Sequence, residues 1–126
     1  MPSSLRVSGL STLLVLYEKT RQYDRADRLL PVVLSHAESC FGKQPVELAT
    51  ILNNVGTICV KRNRKQQGTD LFKRAYLLDL RTLGPFHPHT CIAQMNYGST
   101  LIMLGQVEEG RLVKTEARAA LMGIAH

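Results

Sequence analysis

The sequence predicts an all-α fold made of about three consecutive helix pairs, and two observations support this. Apolar residues recur at the i, i+3, i+4 spacing of an amphipathic helix, as between Leu48 and Val55. The chain also repeats itself: residues of the same type stand 42 positions apart at Gly42 and Gly84, Asn54 and Asn96, and Gly56 and Gly98. A period of this length is typical of proteins built from stacked helical units.

The first unit is expected at about residues 8–41, after an N-terminal tail at 1–7. Its helices are predicted over about 8–20 and 23–39, joined by a turn at Arg21 and Gln22. Pro31 falls inside the second of these helices, where proline removes a hydrogen bond and costs about 3 kcal/mol. We therefore expect that helix to bend at Pro31 or to begin near it.

The second unit is expected at about 46–83 and the third at about 88–122, followed by a C-terminal tail at 123–126. Helices over 46–60 and 66–82 flank a polar break in the second unit. In the third unit, helices over 89–104 and 107–122 flank a turn at Gly105 and Gln106.

Glycine and proline separate the units. Gly42 and Gly84 are placed to end helices in the left-handed conformation. Pro45 and Pro88 suit the first turn of the next helix, where a missing N–H is not needed. The connectors thus carry the stop and start signals that the helix pairs require.

Small residues recur at the same offset within the helices: Ala26, Gly68 and Gly110 form one set, and Gly56 and Gly98 another. A glycine inside a helix costs about 1 kcal/mol relative to alanine. Its repeated use therefore predicts a close approach of the two helices in each pair.

The composition is that of a folded, soluble chain, with 44% hydrophobic and 21% charged residues. No apolar run approaches the roughly 20 residues of a membrane span. The opening residues have no apolar core long enough for a signal peptide, so we expect a cytoplasmic protein. Cys40, Cys59 and Cys91 have no CxxC spacing and are interpreted as reduced, buried thiols rather than a disulfide framework.

The sequence offers no candidate for catalysis. It contains no arrangement of nucleophile, base and acid and no glycine-rich phosphate loop, so we expect neither enzymatic activity nor a cofactor. His87 and His89 flank Pro88 without a third ligand nearby, which favours a helix-start loop over a metal site.

Three passages resemble a known family: Leu-Gly-Pro-Phe-His-Pro at 83–88, Asn-Tyr-Gly at 96–98 and Leu-Asn-Asn-Val-Gly at 52–56. They resemble the tetratricopeptide repeat, in the 42-residue form of the kinesin light chains. The resemblance covers roughly residues 8–122 and implies an α-solenoid whose inner helices line a concave groove. Two positions depart from the pattern, since Leu14 replaces a small residue and Lys114 replaces an aromatic one.

The resemblance implies that equivalent inner-helix side chains form rows along the groove. The rows are Thr12, Asn54 and Asn96; Ser11, Asn53 and Met95; Val15, Thr57 and Ser99; and Lys19, Lys61 and Met103. An asparagine amide both donates and accepts, which suits an extended peptide backbone, and lysines favour acidic side chains. The predicted peptide-binding residues are Asn53, Asn54, Thr57, Asn96, Ser99, Lys19 and Lys61.

The expected function is therefore a non-enzymatic adaptor that binds an acidic, extended segment of a partner protein. It is equally open that Asn54 and Asn96 bond only each other or nearby backbone and stabilise the stack. The main alternative is a structural module or a fragment of a longer repeat array. The C-terminal helix is apolar on more than one side, which favours self-association or docking on a larger protein.

A basic cluster follows the first helix of the second unit: Arg62, Arg64, Lys65, Lys73 and Arg74. It forms either a solvated face or a docking patch for an acidic partner. Nucleic acid is the less favoured partner, because single-strand binding also needs exposed aromatic residues. Phe72 is the only aromatic residue in this segment, and it occupies a core position of the repeat.

Overall fold

A computed structural model describes residues 4–123, and over this range the chain forms six α-helices and no strands. The helices are α1 (Ser4–Lys19), α2 (Tyr23–Phe41), α3 (Pro45–Lys61), α4 (Lys65–Leu83), α5 (Pro88–Met103) and α6 (Val107–Leu121). Each helix packs chiefly against its neighbours in the chain. None of them is both long and apolar enough to cross a membrane. The prediction of an all-α fold is confirmed.

The helix ends lie within two residues of the predicted ones, except at the N-terminus. There α1 begins at Ser4, inside the predicted tail, because Val7 is completely buried and binds this turn to the core. The remainder of both predicted tails, residues 1–3 and 124–126, lies outside the described residues. The helix α2 runs as one element through Pro31, so the expectation that it begins near Pro31 is wrong.

The turns inside the three helix pairs share one geometry at 42-residue intervals. Positive φ angles occur at Arg21 (60°), Asn63 (59°) and Gly105 (88°). The next residue in each turn donates its N–H to a carbonyl five residues back, at distances of 2.8, 2.7 and 2.9 Å from Gln22, Arg64 and Gln106. This is the Schellman arrangement, which satisfies carbonyl groups at a helix end. The repeat seen in the sequence is therefore also a repeat of backbone structure.

The connectors between pairs follow the prediction at three of four positions. Pro45 and Pro88 are the first residues of α3 and α5, and Gly84 has the expected positive φ of 86°. Gly42 does not, since its φ of −54° is right-handed. Glycine is needed there for a different reason: a Cβ would lie 2.7 Å from the carbonyl oxygen of Glu38.

Glycines allow the two helices of the second and third pairs to touch. A Cβ added at Gly68 would lie 3.1 Å from the carbonyl oxygen of Gly56, and one at Gly110 would lie 2.6 Å from that of Gly98. Large side chains then cover the inner-helix glycines. The Phe72 ring lies against Gly56, and the aliphatic stem of Lys114 takes the same place against Gly98. These contacts confirm the close approach and show that the paired helices run antiparallel.

Apolar side chains join the pairs into a shared core. Leu14, Leu30, Val33, Leu52 and Val55 are almost completely buried in one cluster that extends from α1 to α5, where Ala93 belongs to it. A second cluster joins α4 to α5 and α6, with Phe72, Tyr97 and Leu101 buried at its centre. The third pair is therefore held to the second by aromatic packing, and this contact places α5 beside α3.

Candidate functional site

A hydrogen bond joins the first helices of the second and third pairs. The Nδ2 of Asn96 in α5 donates to Oδ1 of Asn53 in α3 at 3.2 Å. The sequence pattern placed Asn96 in a row with Asn54, but the structure pairs it with the adjacent residue. The side chain of Asn54 is exposed and makes no hydrogen bond within residues 4–123. One asparagine amide is thus used to link the pairs, while its neighbour remains available.

A groove lies between α3 and α5, and the Asn53–Asn96 bond divides it into two depressions. The depression toward the C-terminal end of α3, called the lower depression, has a volume of about 260 Å³. Its walls are mainly apolar, from Val60, Phe72 and Met103, and the polar groups of Thr57, Lys61, Asn96, Ser99 and Thr100 also line it. The upper depression, of about 210 Å³, is lined by Ala49, Thr50, Asn53, Asn54, Asp79, His89 and Ile92. The structure therefore brings together every predicted peptide-binding residue except Lys19.

The first pair contributes less to this groove than the row pattern implied. Lys19 is exposed at the end of α1 and lines neither depression. The hydroxyl of Thr12 donates to the carbonyl of Ser8 in its own helix. Glu18 of α1 instead pairs with Lys61, its carboxylate lying 3.9 Å from Nζ of that lysine. Lys61 is still 56% exposed and is the main cation of the groove.

Much of the basic cluster holds helices together. The Arg62 guanidinium donates two hydrogen bonds to Asp27 of α2, at 2.9 and 3.3 Å, and covers the Tyr23 ring at 4.2 Å. Arg64 also reaches Asp27, at 3.1 Å, and Arg74 pairs with Glu38. The Arg62 hydrogen bonds hold the pKa of Asp27 below its usual value. Three arginines of the cluster thus connect the second pair to α2.

Two lysines of the cluster remain exposed. Lys65 lies at the start of α4, and Lys73 lines a shallow depression of about 350 Å³ formed by α4 alone. Phe72, the only aromatic side chain between them, is 4% exposed. The exposed part of the cluster therefore offers no ring on which a nucleic-acid base could stack.

Asp79 is a site residue that the sequence analysis missed. Its side chain is 6% exposed, and its Oδ1 has no hydrogen-bond partner within residues 4–123. Burial raises the pKa of the Asp79 carboxyl, and the nearby His89 and His87 offset this only in part. The sequence contains a sign of this, because the equivalent positions 42 residues away hold the apolar residues Ala37 and Leu121. A carboxylate therefore departs from the repeat pattern at this position.

His87 and the three cysteines are further titratable groups that the sequence analysis considered as candidate ligands. Nδ1 of His87 accepts a hydrogen bond from the backbone N–H of His89 at 3.1 Å and caps α5, as the helix-start interpretation predicted. All three cysteines are free, and burial raises the pKa of Cys59 to about 11. Within residues 4–123, no group of three potential metal ligands comes together.

No model of a protein family matches this chain. No curated protein matches it either. The geometry of the groove between α3 and α5 is therefore the basis for a functional proposal.

Proposed function

We propose that this chain is a non-enzymatic adaptor of the tetratricopeptide type, related in style to kinesin light chain repeats, that binds an extended acidic peptide. Its six helices would form an α-solenoid of three antiparallel pairs, and the groove between α3 and α5 would hold the peptide. Free and buried thiols suit a reducing compartment, so we place the adaptor in the cytoplasm.

The observation that carries this proposal is the lining of the groove. Asn54 and Ser99 present a free amide and a free hydroxyl, and each can donate and accept. A peptide backbone needs such partners along its length. The exposed ammonium of Lys61 then adds attraction for a carboxylate at one end of the groove.

The Asn53–Asn96 bond supports the stabilising role that the sequence left open, and it does not exclude peptide binding. It links the second and third pairs and so stabilises the stack. Asn96 also lines the lower depression, and a bound peptide can compete for its amide. Asn54 has no structural partner, which makes it the better candidate for direct contact with a ligand.

The proposal is tested by screening the full chain against a library of acidic peptides at two salt concentrations. We expect micromolar affinity, about 8 kcal/mol, that weakens at high salt because the attraction to Lys61 is screened. Replacing Asn54 and Asn96 with Ala should weaken binding by about 10- to 100-fold, since each hydrogen bond contributes about 1 kcal/mol. Gln66→Ala removes an amide outside the groove and serves as the control.

The same experiment can reject the proposal. Equal affinity of the Asn54→Ala/Asn96→Ala variant and the wild type, with unchanged helicity by circular dichroism, would exclude the groove as the binding site. Absence of any captured acidic peptide at low salt would exclude the adaptor role itself.

Self-association is the second candidate, because α6 and the residue that follows it expose apolar side chains. Leu112 is 60% exposed, Leu121 46% and Met122 66%. A second copy of the chain would bury part of this apolar surface and reduce its contact with water. Light scattering that gives a dimer mass, and a monomer mass for Leu112→Glu, would support this role.

A further inference from the structure

Asp79 is a buried carboxylate without a structural reason to be there. It belongs to α4, and the equivalent position of α2 holds Ala37, which is completely buried. The fold therefore accepts an apolar residue at this position and does not require a carboxylate. Since buried carboxylates are costly unless paired, and Oδ1 of Asp79 has no partner in the described chain, the residue points to a ligand.

The space beside Asp79 is large enough for one. The upper depression of the groove has a volume of about 210 Å³. Its walls combine the apolar Ala49 and Ile92 with the amides of Asn53 and Asn54. The cavity thus has an apolar part for a hydrocarbon chain and a polar part with acceptor oxygens.

The chemistry of these walls indicates which class of ligand fits the depression. A carboxylate repels anions and accepts hydrogen bonds, so its partner must be a donor and preferably a cation. Lysine and arginine side chains combine an aliphatic stem with a donating, positively charged head. We propose that the upper depression binds a lysine or arginine side chain of the same peptide, with its head at Asp79. This inference rests on the adaptor function proposed above.

The groove would then recognise two residues of opposite charge in one peptide. Lys61 and Asn54 are seven residues apart on α3, which corresponds to about 10 Å along the helix. An extended peptide covers this distance in about three residues. The preferred ligand therefore carries an acidic residue for Lys61 and a basic residue about three positions away for Asp79.

The pocket can be tested with a simple probe on the full ¹⁵N-labelled chain. N-acetyl-lysine amide is titrated and followed by amide chemical shifts, with N-acetyl-norleucine amide as the uncharged match. We expect saturable shifts at Asn53, Asn54 and His89 with the lysine probe, and a far weaker response to norleucine. Asp79→Asn should lower the affinity for lysine at least tenfold.

Two variants complete the design. Asp70→Asn removes an exposed carboxylate from the same helix and should leave the affinity for the lysine probe unchanged. Asn54→Asp adds a carboxylate to the pocket wall and should strengthen lysine binding several-fold, which gives a readout independent of any folding defect in Asp79→Asn. An equal response of the wild type and Asp79→Asn, or equal binding of both probes, would overturn the inference.

Acidic peptides separate this inference from the adaptor proposal. If acidic peptides bind but the lysine probe does not, the basic-residue pocket is wrong and the adaptor proposal stands. If the lysine probe binds at Asp79 and no acidic peptide is captured, the adaptor proposal fails and the pocket is shown to take a cation on its own. When a captured peptide contains a basic residue, replacing that residue with glutamine should reduce the affinity of the peptide for the wild type. The same replacement should leave its affinity for Asp79→Asn unchanged.

Discussion

Substituting Gly110 with alanine tests whether the paired helices are as close as the glycine contacts indicate. A Cβ at this position would lie 2.6 Å from the carbonyl oxygen of Gly98 and 2.6 Å from Cγ1 of Ile102. The first contact is with backbone, so the helices must move apart. Overpacking of this kind costs up to about 3 kcal/mol, and alanine returns about 1 kcal/mol of helix propensity.

We therefore expect Gly110→Ala to lower the free energy of unfolding by about 1–2 kcal/mol. For a chain of this size, that corresponds to a fall in Tm of roughly 4–8 °C, measured by circular dichroism. Gly9→Ala is the matched control, since Gly9 also lies inside a helix but nothing comes within 4 Å of an added Cβ. The free energy of unfolding of Gly9→Ala should be about 0.5–1 kcal/mol higher than that of the wild type. A gain of similar size in Gly110→Ala would refute the close approach of α5 and α6.

Three further predictions concern titratable groups. Because the pKa of Asp27 is lowered by Arg62, its pairing stabilises the fold above the unfolded pKa of about 3.9 and is lost as pH falls further, so Asp27→Asn should flatten the acid limb of a stability–pH curve. The pKa of Asp79 is raised, so its ionised form destabilises the fold at neutral pH. Asp79→Ala should therefore increase the free energy of unfolding, measured in urea, by about 1 kcal/mol at pH 7 and by less below pH 4. With a thiol reagent on the native protein, Cys40 should react first, because Cys59 is completely buried and its pKa is raised to about 11; rapid labelling of Cys59 would contradict the core assignment.

Local signals in the sequence predicted the helices well, because they act within a few residues. Pro45 and Pro88 mark helix starts, and the period of apolar residues fixes the buried faces. The positive φ of Arg21 carries no such signal. It follows from the turn geometry that Asn63 and Gly105 share, and became visible only with the backbone in view. Val7 was likewise missed, because it is buried by contacts with residues far along the chain.

The sequence by itself determined that this chain is all-α, that its helices come in pairs and that small residues recur at one offset. Only the tertiary structure decided which side chains meet between pairs. Asn96 bonds Asn53 instead of standing in a row with Asn54, Arg62 of the basic cluster pairs with Asp27, and Asp79 lies beside the groove. The physical reason is that the repeat period sets which residues are equivalent, whereas side-chain packing sets how far one helix is shifted and rotated against the next.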